Sequence, residues 1–331
     1  MHNYFALGQV LLPASPNGVS STPDIFQEIM ADLFGEFDFV ICYIDDLLII
    51  TKGDEDVHMD HITQVFAVLM EYGFQVNPLK CTFFARSAEY LRFLISRRGL
   101  SPLPDRIQAI MTISPPKTRR ELRRFIGMLQ MYKDMWRLRA HNLPPLTRLT
   151  STKLPFVWTA VEQVAFDIVK KMISSATMLT FPDLNSPIEI FTDASTKQLG
   201  AVIIQNDRPV AYYSRKLSET QQRYAIIDLE LLSIFETLPA YRGILLGRCL
   251  IVHTDHKNLT FSNFSSDRVN RWRLYMEEYG PEIRYLPGKN NILADALSCL
   301  PTTNGDPSVP PVPFTFEEVF VLTDIPVFPL T

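Results

Sequence analysis

An α/β fold is predicted from two observations: a late run of closely spaced strands, a long amphipathic helix and a returning buried strand, and an earlier half in which helical periodicities alternate with short β-rich runs. The chain has 331 residues, 47% hydrophobic and 21% charged. That supplies two or three ordinary cores, so more than one domain is expected. No internal repeat is present, which argues against a solenoid.

Taken in order, Pro13, Pro16 and Pro23 punctuate a polar stretch before helical spacing over residues 24–34. The start reads as the middle of a domain. Residues 39–51 are apolar and β-rich, broken by Asp45 and Asp46, and predict a hairpin with the carboxylates at its turn. Asp54, Glu55 and Asp56 then complement a helix dipole, Ile62, Phe66 and Leu69 form its apolar face, and Gly73 stops it. Further short strands follow. Thr118 predicts an N-cap with Glu121 completing a capping box, and Leu122, Phe125, Ile126 and Leu129 recur at helical spacing opposite the arginines.

From Ile188 the spacing predicts strands over 188–192, 199–205 and 209–214, an antiparallel meander. A helix over 221–238 follows, with Tyr224, Ile227, Leu231, Ile234 and Leu238 on one face, before a buried strand over 250–254. A crossover of that length suits a βαβ unit. A helix over 268–279, a strand over 283–286 and a short helix over 291–297 close the domain. Residues 301–331 are proline-rich and predict a loosely ordered tail.

The formal net charge of −4 argues against indiscriminate coating of nucleic acid, but the balance reverses locally. Lys117, Arg119, Arg120, Arg123, Arg124, Lys133, Arg137, Arg139 and Arg148 face only Glu121 and Asp134 in that segment. Phosphate binding and a plain solvated helix face both fit. Cys42, Cys81, Cys249 and Cys299 are too dispersed for a metal knuckle or a disulfide framework and read as apolar fillers in a reducing compartment. No uninterrupted apolar stretch approaches the roughly 18 residues a membrane span needs, and no basic region precedes an apolar run at the N-terminus. An intracellular chain, cytoplasmic or nuclear and without a membrane partner, is expected.

Four acids fall on four separate elements: Asp193 ending the first meander strand, Glu230 on the helix, Asp255 ending the fourth strand and Asp295 on the last short helix. Singly, each is an ordinary surface or capping acid. Gathered, they would repel one another unless cations sat among them. Two divalent ions about 3.5–4 Å apart can activate a water and stabilise a leaving 3′ oxygen, and hard oxygen donors suit Mg²⁺. His253 and His256 lie close by, but Mg²⁺ prefers oxygen.

The residues around these acids resemble the ribonuclease H domain of gypsy-like LTR retrotransposons. The similarity runs through Phe191-Thr192-Asp193-Ala194-Ser195, Leu199-Gly200-Ala201-Val202, Tyr212-Tyr213-Ser214-Arg215-Lys216-Leu217, Asp228-Leu229-Glu230-Leu231-Leu232, His253-Thr254-Asp255-His256-Lys257-Asn258-Leu259 and Asn291-Ile292-Leu293-Ala294-Asp295-Ala296-Leu297-Ser298. Earlier, Tyr43-Ile44-Asp45-Asp46 resembles the aspartate pair of reverse transcriptases, and the segment from Pro115 to Gly127 resembles their thumb. The resemblance implies a partial polymerase palm over 1–100, a thumb-like helical segment over 101–153, a ribonuclease H-like domain with a mixed five-stranded sheet and flanking helices over 154–300, and the tail over 301–331.

It further implies hydrolysis of RNA in RNA/DNA hybrids by Asp193, Glu230, Asp255 and Asp295 around two Mg²⁺ ions, with Mn²⁺ as an alternative. Asp45 and Asp46 would hold metal for nucleotidyl transfer on a template-primer. Arg120, Arg123 and Arg124 of the thumb, with Arg215, Lys216 and Lys289, would contact the nucleic acid, mostly through phosphates and 2′-hydroxyls.

Three departures weaken the polymerase. The strand bearing the third palm aspartate is expected to lie outside this chain, the segment 12–19 is longer than the family's, and Arg92 stands where the family has a glycine near the primer. No Asp-Ser/Thr-Gly protease signature, zinc knuckle or His-His-Cys-Cys module occurs. The expected activity is therefore that of a ribonuclease H with polymerase activity lost. The competing expectation is a non-catalytic retroelement relic that binds nucleic acid or a protein partner.

Overall fold

The computed structural model describes residues 2–11, 22–136, 139–183, 185–260 and 267–287. They form two compact units divided between Ile107 and Gln108. The helix expected over 291–297, the tail expected over 301–331, the segment 12–19, Arg137 and Cys299 lie outside the described residues.

The first unit runs β1 (His2–Leu11), α1 (Thr22–Phe34), β2 (Val40–Tyr43), β3 (Asp46–Gly53), α2 (Glu55–Glu71), β4 (Gln75–Val76), β5 (Thr82–Ala85), β6 (Ser87–Tyr90), β7 (Phe93–Ser96) and β8 (Gly99–Pro102), and α3 (Pro104–Thr112) crosses the division. Strand β3 pairs antiparallel with β2 and β1, and β1 pairs in turn with β4 and β5. Strand β1, to which the sequence reading assigns no element, runs in register with β3 from His2–Gly53 to Gln9–Asp46. The prolines behind it masked an apolar run that has no turn signal in front of it.

Strand β3 is buried on both faces because its side chains alternate. Leu47 and Ile49 pack with Phe26, Met30 and Phe34 of α1 and Ile62, Val65 and Leu69 of α2, whereas Leu48 packs with Ala88, Tyr90 and Ile95 from the β6–β7–β8 sheet. Helix α2 starts and stops where the sequence places its ends. Asp54 accepts from the Val57 amide at 3.0 Å, and Gly73 at φ +69 lets Phe74 N donate back to Leu69 O at 2.8 Å.

The second unit runs α4 (Arg119–Gln130), α5 (Arg139–Asn142), α6 (Pro144–Arg148), α7 (Ala160–Ser174), β9 (Ile188–Ala194), β10 (Gln198–Gln205), β11 (Arg208–Lys216), α8 (Ile226–Ala240), α9 (Arg242–Leu245), β12 (Leu250–Thr254), α10 (Asp267–Met276) and β13 (Glu282–Tyr285). Its five-stranded sheet has the order β11-β10-β9-β12-β13. The first three strands are antiparallel, and β12 runs parallel to both β9 and β13, so the sheet is mixed.

One face buries Ile188, Ile190, Ala201, Ile203 and Ala211 with Leu231, Ile234 and Leu238 of α8. On the other face, Ala140 N donates to Ser214 Oγ at 3.1 Å and Tyr212 N to Asp134 O at 3.0 Å, which docks the α4–α5 connection against β11. Strand β10, covered from both sides, is buried along its whole length.

Four local expectations are corrected. The helix expected over 221–238 begins as a 3₁₀ turn at Gln221–Arg223 and breaks at extended Tyr224 (ψ 152), whose ring lies 3.9 Å from the Arg268 guanidinium. At α4, Thr118 Oγ1 accepts from Glu121 N, but Glu121 returns its bond to Lys117 N at 2.8 Å, one residue before the cap. Helix α7 was not foreseen, although Thr159 and Glu162 form a complete capping box at its start. Cys249 is exposed and is no filler; none of Cys42, Cys81 and Cys249 is in a disulfide. Among the described residues no helix is long and apolar enough to cross a membrane.

Candidate functional site

Three of the four sequence-predicted acids converge. Asp193 lies near the end of β9, Glu230 one turn into α8, and Asp255 directly after β12. Each offers a carboxylate oxygen within 4.8 Å of the other two, and among the described residues this is the cluster of metal-ligand type. Asp295 lies outside the described residues.

The sheet brings the acids together. Register aligns Asp193 with Gly200, and the parallel β9–β12 pair carries both chains to the same end, so Asp193 and Asp255 emerge from adjacent strands. Helix α8 is then fixed over them. Ser233 Oγ donates to Gly200 O at 3.0 Å, and Glu230 Oε1 accepts from Ala194 N at 3.0 Å. Glu230 is 2% exposed, and its second oxygen, Oε2, is buried without a hydrogen-bond partner. Burial first, and then the nearby Asp193 and Asp255 charges, push the Glu230 carboxyl up to about 9, against the opposing Ala194 N–H bond. An orphaned oxygen on a carboxylate beside two further acids fits a divalent cation, which would replace mutual repulsion with attraction.

His253 is not part of this cluster. Its Nε2 meets Glu189 Oε2 at 2.8 Å and its ring stacks on Phe191 at 4.4 Å, and the pair with His253 holds Glu189 below the usual carboxylate range.

In the first unit, Asp45 and Asp46 occupy the predicted hairpin. The turn falls at Ile44-Asp45, and Asp46 is already the first residue of β3, opposite Tyr43. Ile44 adopts φ +51, unusual for a β-branched residue, and its N–H is held by Gln27 Oε1 of α1 at 2.7 Å. Burial and then Asp45 raise the Asp46 pKa, with Lys80 opposing. Among the described residues no third acid joins this pair.

The predicted nucleic-acid contacts divide. Arg120 and Arg124 stand exposed one helical turn apart on α4. Arg123, also exposed, donates to Thr150 O at 2.6 Å, and Arg215 bridges Glu236 at 3.1 Å while bonding Gln221. Lys216 is exposed at the end of β11, and Lys289 lies outside the described residues. Sequence reasoning missed Ser233 and Ala194, which fasten the helix to the strands. Neither signals such a role in sequence, because one is a small residue within a helix and the other acts through its backbone.

Two family models match the chain: one for reverse transcriptase (RNA-dependent DNA polymerase) over residues 13–95, and one for the RNase H-like domain found in reverse transcriptase over residues 183–279. Similar curated proteins include the retrovirus-related Pol polyprotein from transposon opus of Drosophila melanogaster, 35% identical over 308 residues and covering 86% of this chain and 30% of that protein. The corresponding polyprotein from transposon gypsy of the same fly is 31% identical over 301 residues, covering 86% and 29%. The transposon Tf2-3 polyprotein of Schizosaccharomyces pombe is 32% identical over 297 residues, covering 86% and 22%. The chain thus spans less than a third of the length of these relatives.

Among solved structures, the foamy viral protease-reverse transcriptase in complex with RNA/DNA hybrid matches with a TM-score of 0.78 at 20% identity, covering 93% of this chain and 47% of that one. Another structure of it, in complex with double-stranded DNA, gives 0.77 at 18%, covering 86% and 57%. The likeness to both is one of fold.

Proposed function

We propose that this chain, which belongs to the family of reverse transcriptase and ribonuclease H-like regions of retrotransposon Pol polyproteins, hydrolyses the RNA strand of RNA/DNA hybrids. The observation that carries this reading is the convergence of Asp193, Glu230 and Asp255 around a buried carboxylate oxygen that lacks a hydrogen-bond partner. These three acids, with Asp295 as the fourth, would hold two Mg²⁺ ions, Mn²⁺ being the alternative. When bound, such ions supply a more acidic water and neutralise charge on the leaving 3′ oxygen.

The protein's own residues set the geometry. Ala194 N–H occupies Glu230 Oε1 and leaves Oε2 without a hydrogen-bond partner, on a carboxylate that offers an oxygen within 4.8 Å of Asp193 and Asp255. Ser233 ties α8 to β10, so the helix carboxylate cannot drift from the strand carboxylates. A Glu230 carboxyl that is protonated when metal-free must release its proton to become a ligand, which couples metal affinity to pH. Hybrid recognition would proceed through phosphates and 2′-hydroxyls, with exposed Arg120, Arg124 and Lys216 available for them.

The test is cleavage of a labelled RNA/DNA hybrid by purified protein with Mg²⁺ and with chelator. Metal-dependent cleavage that Asp193→Asn abolishes is expected, and equal cleavage by the variant would overturn the reading. Salt-sensitive hybrid binding with no metal-dependent cleavage would leave a nucleic-acid-binding relic in its place.

A further inference from the structure

We infer that an open groove beside β11 is a phosphate track for the nucleic acid that reaches the acid cluster. The groove encloses about 530 Å³ and is lined by Pro144, Pro145, Thr147, Arg148, Val161 and Lys216. The inference rests on the hydrolytic reading above for the identity of the occupant.

Charge supports a polyanion. Arg148 and Lys216 are the charged residues of the lining, and both are cations. The Arg148 side chain is 64% exposed, yet one of its nitrogens is anchored 3.2 Å from Glu162 Oε1, on a side chain only 1% exposed. Glu162 is itself locked by the Thr159 hydroxyl and backbone N–H at the start of α7. A buried carboxylate therefore aims a solvent-facing guanidinium without presenting its own charge to the groove, and a guanidinium so fixed loses little freedom on gripping a phosphate. The Pro144, Pro145 and Val161 floor suits the apolar edges of sugars, and Val161 is 62% exposed.

Position supports the same occupant. Asp193 pairs with Gly200 and Gly200 with Ser214, and directly paired residues point to the same face of a sheet. Lys216, two residues beyond Ser214, shares that face. From Asp193 it lies two strand spacings sideways and two residues along, roughly 10 Å and 7 Å, or about 12 Å in all. That is within the span of a few nucleotides along one strand. A strand with one phosphate among the acids can thus place another in the groove.

The test uses the full chain with Asp193→Asn to prevent cleavage, alone and with Lys216→Ala or Val161→Glu. Affinity for a fluorescent RNA/DNA hybrid is measured by anisotropy across a series of salt concentrations. Lys216→Ala is expected to weaken binding about tenfold at low salt and to lower the slope of log affinity against log salt by about one. Val161→Glu is expected to weaken binding further, and Lys216→Arg to restore the slope. In chains retaining Asp193, the same changes should raise KM for hybrid and leave kcat within about twofold.

Unchanged affinity and slope in both variants would overturn the track, as would failure of the parent chain to bind hybrid. If binding responds as expected and the chain with intact acids does not cleave, the track stands and the hydrolytic reading falls. If cleavage is metal-dependent and the groove variants behave like the parent, the track alone falls.

Discussion

Ala194 donates its backbone N–H to Glu230 Oε1 at 3.0 Å, a single bond that joins the helix carboxylate to the strand carrying Asp193. It satisfies one oxygen of a buried acid and leaves the other to its neighbours. Without metal the site is therefore an electrostatic liability, and the first prediction follows from that.

Glu230 has its carboxyl raised in the folded chain from an ordinary value of 4.5 to about 9. Between those values the folded state holds a proton that the unfolded state has released, so stability of metal-free protein falls as pH rises from about 4.5 to about 9. The loss is on the order of a few kcal/mol. Thermal melts in chelator across that range should show the decline, Glu230→Gln should flatten it, and added Mg²⁺ should oppose it at high pH. A pH-independent melting point in chelator would contradict the assignment.

Asp193→Asn should reduce hybrid cleavage by more than about a hundredfold, since even partners outside the ligand set are worth about 10–100-fold. Ser233→Ala, which loses the 3.0 Å bond to Gly200 O, should cut cleavage about tenfold and shift the Mg²⁺ dependence to higher concentration. A titration of cleavage rate against Mg²⁺ separates the two effects.

Arg92 occupies φ +71 directly after Leu91 at φ +49, in the turn between β6 and β7. A left-handed conformation is costly for an arginine and free for a glycine. Arg92→Gly should accordingly stabilise the first unit by about 1 kcal/mol, read as a higher midpoint in denaturant unfolding.

Tyr241 places its hydroxyl 2.7 Å from Asp134 Oδ1 and 2.8 Å from Tyr212 O, joining the end of α8 to the segment after α4 and to β11. The hydroxyl has one proton to share between these two acceptors, and Tyr241→Phe, which removes it, should cost about 1–3 kcal/mol. Hydrogen exchange should quicken at Tyr212, whose amide donates to Asp134 O.

Primer extension on an RNA template should be negligible for this chain alone, because among the described residues Asp45 and Asp46 lack a third converging acid. Asp45→Asn should leave hybrid cleavage unchanged. Robust extension by the unaltered protein would contradict this.

Much of this molecule follows from local pattern. Closely spaced apolar runs placed β9, β10, β11 and β12 within a residue or two of their ends, Asp54 and Gly73 bounded α2, and the flanking motifs singled out Asp193, Glu230 and Asp255. Local pattern failed where tertiary pairing overrides it: β1 exists because β3 is there to pair with it, and the break at Tyr224 answers Arg268 from a distant helix. Charge alone could not sort the arginines either. Arg123 and Arg215 are occupied by Thr150 O and Glu236, whereas Arg148 is turned outward by Glu162.

For the acids, sequence by itself determined residue type and, for Asp193, Glu230 and Asp255, the element each sits on, since periodicity and motif are properties of the chain. Only the tertiary structure decided that three of them share oxygens within 4.8 Å and that Glu230 keeps one buried oxygen unpartnered. That proximity comes from sheet register and from the bonds of Ala194 and Ser233, contacts between residues far apart in sequence that no local pattern encodes.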